Sequence, residues 1–496
     1  MSAVARRQQK SVAPSLWLKR WSALWSGGFA LGVVLFFGSF AYRAWRIAGL
    51  SPSKRLKQAE AMLRFVGDQI ANRKGVEQFE RFLPEAGCVA YMIYGEALVS
   101  LGVAGPTDVL KRAWIADEIQ WCLGQLSQPD ILKNFPNTQV PNGLFFLSRR
   151  TLLLAGLHLI SDSPPWELTE EYHDNCQQMA DAFKSSPRGL LDSFPDFCGT
   201  ADNIAALRCL RLHDEKFGTD YSFAVDRWRE WARGALDPRW GTLPATADPQ
   251  TGQPIAPARG SSLALSLLEL RDVDQDLFRE QYLRFRKYFG NSFLGLQTSR
   301  EFPEGAEPQT RTEIDTGPVL HGHGVFATII GMTAARLAGD LAAFCDVMGL
   351  IEVIGLPSTE DGMRRYLHGK VVVWDAFAAY AMAAVPWTRS ARAIPQLSTA
   401  PKRPWFLVGV LMAFPFLTVA TGAFRYARLV RKIRPLSLWR SKSPSPEGIV
   451  LFWCQASVLV WLFFSILSFP VAWAGFGIVA RGILFGLRLL KQRAAG

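Results

Sequence analysis

The sequence is poor in the residues that metal and redox chemistry draws on. It has six histidines and seven cysteines in 496 residues, and no two cysteines stand as Cys-x-x-Cys. That excludes zinc-ribbon and thioredoxin-like readings. Cys454 lies inside an apolar run, and Cys88, Cys122, Cys176, Cys198, Cys209 and Cys345 fall in or beside helical segments. Buried structural thiols are the expectation there. Charge is also missing from three stretches, Trp21 to Tyr42, Pro404 to Phe424 and Gly448 to Ala480. Each is long enough to span ~30 Å of hydrocarbon.

With 49% hydrophobic and 20% charged residues, the chain is too apolar for disorder and can bury a large core. The first uncharged run is rimmed by Trp21 and Trp25 on one side and Tyr42 and Trp45 on the other, with no small-residue cleavage site, so it reads as a retained anchor. Pro470 and Gly475 interrupt the third run, which counts as one or two helices. Between the second and third runs, Arg425, Arg428, Arg431, Lys432, Arg434, Arg440 and Lys442 face a single acid, Glu447. A short loop of that kind stays in the cytoplasm. The expectation is a multi-pass protein of a bacterial inner membrane, with its central domain on the periplasmic side. The net charge of +12 then belongs to membrane-flanking segments, not to nucleic-acid binding. The chain divides into a basic segment over 1–20, an anchor over 21–45, a central domain over 51–387, a linker over 388–403, a span over 404–424, a basic loop over 425–447 and one or two spans over 448–490.

The central domain repeats. Charged, amphipathic segments (Lys54 to Ala71, Thr107 to Leu123, Trp166 to Phe183, Ser222 to Ala235, Asp274 to Phe289, Leu337 to Ile354) alternate with small, apolar ones that open at Gly87, Gly143, Gly199, Gly260, Gly317 and Gly369. The glycines are 52 to 61 residues apart. A wet helix and a dry helix at fixed period must stack dry face on dry face. The first and last dry segments are as apolar as the middle ones, so neither caps an open array. The pattern predicts an all-α (α/α)6 toroid, with dry helices inside and wet ones outside. Loops entering the inner helices gather at one mouth, where helix N-termini offer unpaired N–H groups and positive dipole ends. That mouth is the default binding site.

Two mouth loops concentrate polar residues. Asp192 to Asn203 holds Ser193, Asp196, Cys198, Asp202 and Asn203, a set able to supply an acid and a base with separated pKa values. Its competing reading is helix capping by Asp196 or Thr200. The second loop holds Arg311, Glu313 and Asp315, followed by His321 and His323 on the expected fifth inner helix, a carboxylate–imidazole pairing suited to proton transfer. Histidines two apart on a helix diverge, so a shared metal is not expected. Glu301, Glu304 and Arg311 read as a solvated loop. His158, His173 and His213 read as structural or surface residues.

The run Pro195-Asp196, Asp202-Asn203, Gly218-Thr219-Asp220-Tyr221, Arg227-Trp228 and Asp237-Pro238 with Gly241 resembles the linalool dehydratase/isomerase family, most clearly over 194–289. The resemblance implies an (α/α)6 toroid and cofactor-independent removal, addition or relocation of a hydroxyl. Where that family places two loop cysteines, this chain has Ser193 and Asp202. A family histidine falls at Arg150, so the thiol chemistry does not carry over.

The residues then suggest Asp202 as general acid, Asp196 and Asp315 as base or orienting group, and His321 as proton relay. Asn203, Ser193, Glu313, Arg150, Arg259, Trp240 and Trp374 would contact substrate, with Arg150 or Arg259 as an anion clamp. Cys198 ranks below Asp202. The expected activity is a hydro-lyase, isomerase or hydrolase working on a C–O bond of an isoprenoid or lipid-linked compound, with no cofactor. Two rivals are a cell-envelope glycan hydrolase or lyase and a non-catalytic toroid that assembles a membrane complex. Expected partners are the lipid bilayer, a hydrophobic or glycan small molecule and, on the last reading, other members of that complex.

Overall fold

A computed structural model describes residues 35–80, 87–105, 108–293, 295–306, 319–393 and 406–413. They belong to one compact unit, Leu35–Phe414. The segments 1–20, 425–447 and 448–490, and most of the other two expected spans, lie outside the described residues.

After α1 (35–47), the chain forms six helical hairpins. The first has α2 (Pro52–Ala71), a short α3 (Lys74–Glu80) and α4 (Gly87–Ala104); the second has α5 (Val109–Leu126), α6 (Pro129–Leu132) and α7 (Gly143–Ile160). The third pairs α8 (Trp166–Ser185) with α9 (Thr200–Phe217), and the fourth pairs α10 (Ser222–Gly234) with α11 (Gly260–Val273) across the ribbon β1 (Thr246–Ala247) and β2 (Pro254–Ala256). In the fifth, α12 (Gln275–Arg284) continues into one π-helical turn, then β3 (Gly290–Phe293), β4 (Leu296–Ser299), β5 (Val319–Leu320) and β6 (His323–Gly324) precede α13 (Val325–Ala338). The sixth has α14 (Leu341–Ile354), β7 (Ser358–Glu360), β8 (Met363–Arg365) and α15 (Val372–Ala383), followed by α16 (Arg389–Ala393) and α17 (406–413).

Each of α4, α7, α9, α11, α13 and α15 packs on the next, and α15 returns to α4. The six dry helices therefore close a ring, and the wet helices lie outside it. One continuous core fills the space between the two layers, from Leu63 and Val66 through Trp228 to Met382. This arrangement accounts for the composition of α4 and α7, which are apolar and long enough to cross a membrane yet 72% and 83% buried in protein. An inner helix is covered by neighbours on every side, so it needs no wet face.

The expected helix starts hold for α4, α7 and α11, and Gly199 is the N-cap residue of α9. They fail for the last two. The fifth inner helix starts at Val325, not near Gly317, and the sixth at Val372, not at Gly369. His321 (φ 50°), Gly322 (φ 81°), His368 (φ 55°) and Gly369 (φ 74°) are left-handed, which a right-handed helix excludes. His321 and His323 are thus turn and strand residues, a correction to their expected place on a helix. The sixth outer helix is also less wet than its predicted role requires: Leu350 and Val353 of α14 pack with Ala44 of α1, Leu296 of β4, and Leu407 and Leu411 of α17.

Candidate active site

The acids and bases with most neighbours lie along the axis of the ring. Asp202 occupies the first turn of α9, three residues past the N-cap Gly199, and Ser193 Oγ accepts from Gly199 N at 3.0 Å while its hydroxyl donates to Asp202. One step deeper, Arg149 of α7 donates through Nη1 to Glu269 Oε1 of α11 at 2.5 Å and to Glu96 Oε1 of α4 at 3.2 Å. Arg208 of α9 donates through Nη1 to the other oxygen of Glu269 at 2.6 Å and forms an ion pair with Asp272, its Nε 2.8 Å from Oδ2. Asp272 in turn accepts from the backbone N–H groups of Trp387 and Thr388, and Trp387 closes the base of the ring with its indole N–H on Ser100 Oγ at 3.0 Å.

Four carboxyls share two guanidiniums in this chain, and charge balance in a buried interior then requires protons. Glu269, gripped by Arg149 and Arg208, is held below the usual carboxylate range despite its burial. Glu96 and Asp202 go the other way. Burial pushes both up, only partly offset by Arg149 and, for Asp202, by the Ser193 hydroxyl. Asp202 keeps some solvent contact while Glu96 is 3% exposed, so of these two raised acids Asp202 is the more accessible. Around it, the first two turns of the inner helices keep half-buried apolar side chains: Ile93, Phe145, Leu265, Phe326 and Trp374. Phe145 stacks on Phe194 at 5.4 Å, next to Ser193.

The other expected site residues disperse. Asp196 is exposed at a turn with φ 61°, while Gly199 holds the N-cap position without any side-chain cap, so neither Asp196 nor Thr200 caps α9. Asn203 is buried and bonded to both Leu191 backbone groups and to Gly199 O, which makes it the brace of the loop. Cys198 receives an Asn203 amide hydrogen bond at 3.5 Å, and burial pushes its thiol up to about 12. Arg150 points outward, bonded to Glu171 of α8 and to Leu123 O, so the guanidinium beside Asp202 is its neighbour Arg149. A helix turns 100° per residue, and that single step separates the axis from the outer layer. Arg259 lies at the N-cap of α11, where its N–H bonds Ser262 Oγ at 3.0 Å. Trp240 sits under the Arg239 guanidinium at 4.8 Å, and Trp374 is half-buried at the mouth. His321 is exposed on the β5–β6 turn, and Glu313 and Asp315 lie outside the described residues. Glu301, expected in a solvated loop, is fully buried and accepts the Ser261 hydroxyl at 2.5 Å.

Sequence reasoning missed Arg149, Arg208, Glu96, Glu269 and Asp272. The available signal was charge in mid-helix of α4, α7, α9 and α11, flanked by apolar residues, since an ionisable group on the inner side of such a helix needs a partner across the ring.

No family model matches this chain, and no curated protein matches it. Among solved structures it is similar to a GH76 alpha-mannanase from Bacteroides thetaiotaomicron, at 11% identity and TM-score 0.36, over 59% of this chain and 84% of that one. Likeness at that level carries no argument about fold or chemistry. The class is defined by the molecule itself: a closed ring of six helical hairpins with buried ion pairs between its inner helices.

Proposed function

We propose that this chain is a membrane-anchored, cofactor-independent enzyme that breaks or relocates a C–O bond in a hydrophobic alcohol or lipid-linked compound, with Asp202 as its acid. The observation that carries the reading is Asp202 itself, on the first turn of an inner helix, its pKa raised by burial, held by Ser193 and faced by Arg149. Asp202 donates its proton to the hydroxyl oxygen, the C–O bond breaks with its electrons leaving on water, and Arg149 and Ser193 stabilise the carboxylate that results. The same carboxylate then takes a proton from the neighbouring carbon, which forms the alkene and restores the acid. Asp196, at the rim, is the remaining described carboxylate of the expected set. Ser193 and Asp202 fit the resemblance to linalool dehydratase/isomerases in position and not in chemistry. The domain is assigned to the periplasmic side of an inner membrane by its basic loop. A glycan hydrolase would want two carboxylates free on an open groove, whereas Glu96 and Glu269 are both committed to Arg149.

A second reading has its own observation: below Asp202 the axis is filled by ion pairs and closed by Trp387, as suits an assembly module. One comparison separates them. Full-length protein in detergent or vesicles is incubated with a panel of prenyl alcohols, and water loss or isomerisation is read by gas chromatography. Asp202→Asn should lose ~10²–10⁴-fold in rate and also the infrared carbonyl band of a protonated acid. A wild-type chain that converts nothing moves the assignment to the assembly module, and an Asp202→Asn chain that works normally removes Asp202 as the acid.

A further inference from the structure

We propose that the mouth of the ring faces the lipid bilayer, with Phe293 and Leu320 of its rim seated among the lipid headgroups. The argument follows the direction of one helix. Outer helices run toward the mouth, so Leu341 starts α14 at the base and Ile354 ends it at the rim. Helix α1 lies along α14 in the opposite direction: Ile47 and Ala48 sit with Leu341, Phe344 and Met348, a Cβ added at Gly349 would lie 3.9 Å from Ala44, and the same Ala44 joins the cluster of Leu350 and Val353. The N-terminal end of α1 is therefore its rim end. There Leu35 is 63% exposed, and Leu35 to Tyr42 is the last part of the uncharged run that begins at Trp21.

The other apolar run joins on the same side. Phe406, the first residue of α17, packs against Gly295 in the turn of the β3–β4 hairpin, within the connection that leads to the N-terminus of α13. Beside it, Phe293 (45% exposed) rests edge-on against His323, whose strand partner is Leu320 (59% exposed). The base of the ring also exposes apolar side chains, Leu110 and Trp166 among them, so exposure alone does not choose a face. The two junctions with the uncharged runs do. Side chains of this kind bury ~5–10 Å into the headgroup boundary. An apolar substrate would then pass from the bilayer to Asp202 without crossing water. The orientation rests on the anchor reading of the uncharged runs and is independent of what Asp202 does.

The test places a genetically encoded fluorophore, one position at a time, at Phe293, Leu320, Leu110 or Trp166 of the full-length chain reconstituted in phosphatidylcholine vesicles. All four positions are exposed, so the core is undisturbed, and circular dichroism of each variant checks this. With spin-labelled phosphatidylcholine in the vesicles, the labels at Phe293 and Leu320 should lose most of their emission, and those at Leu110 and Trp166 should keep theirs. Quenching confined to Leu110 and Trp166, quenching at all four positions, or quenching at none overturns the proposal. Asp202→Asn should leave the pattern unchanged, so orientation and catalysis fail separately.

Discussion

The guanidinium carbon of Arg208 lies 4.0 Å from the centroid of the Trp387 ring, and the same guanidinium donates to Glu269 and is ion-paired with Asp272. One cation is thus stacked on the residue that closes the base of the ring and paired with the fourth inner helix.

Trp387 stands 1% exposed beyond the last inner helix and touches three others through Arg208, Ser100 and Asp272. Trp387→Ala should cost about 3–5 kcal/mol, the usual range for deleting a buried aromatic. Trp387→Phe should keep most of that packing and lose the hydrogen bond to Ser100. Urea denaturation of both variants reads the difference, and equal midpoints would mean that the stacking contributes nothing.

Glu269 and Glu96 both contact Arg149 but differ in protonation. Glu269→Gln removes the carboxylate that accepts hydrogen bonds from both Arg149 and Arg208, and breaking such a buried pair should cost about 3–5 kcal/mol. Burial raises the Glu96 pKa, which favours its neutral form, so Glu96→Gln should stay within about 1 kcal/mol. Equal losses would show that both are ionised.

Stability should depend on pH through two opposite groups. Burial pushes His158 and His213 down from 6.5 to about 4, so the fold favours their neutral forms. The unfolded chain then binds more protons in that window, and their contribution, complete above about 6.5, is lost as pH falls toward 4. His213 also bonds His173 and Thr219, each at 2.8 Å. Burial raises Asp375 from 3.8 to about 8, partly offset by the Tyr366 N–H at 2.7 Å. Its contribution is complete below 3.8 and is lost as pH rises toward 8. Melting temperatures across this range should show Asp375→Asn flattening the alkaline limb alone and His213→Gln weakening the acid limb.

Gly143 sets the loop that carries Ser193. Its φ is 70°, and a Cβ there would lie 2.5 Å from Ser193 O. Gly143→Ala should therefore cost about 1–3 kcal/mol and shift the Ser193 hydroxyl away from Asp202. The check is the infrared band of protonated Asp202, which should move in Gly143→Ala and stay put in Gly218→Ala. Gly218 is likewise left-handed but has open space around it.

By itself the sequence determined the hairpins and their layers, because a helix with one wet face and a helix with none differ in composition wherever they occur. The period of Gly87, Gly143, Gly199 and Gly260 set where four inner helices begin. It did not reach the last two, where left-handed residues such as His321 and Gly369 insert β-turns that no spacing announces. It also picked out Ser193 and Asp202, since three acids and a serine in one loop exceed what capping needs. Only the tertiary structure decided which guanidinium faces Asp202. Arg149 and Arg150 are adjacent in the chain and 100° apart on the helix, and the packing of α7 between α4, α9 and α8 sends one to the axis and the other to Glu171. Protonation was equally a tertiary outcome: whether Glu96 or Glu269 keeps its proton depends on how many guanidiniums each meets across the ring, and those partners lie 53 to 120 residues away in sequence.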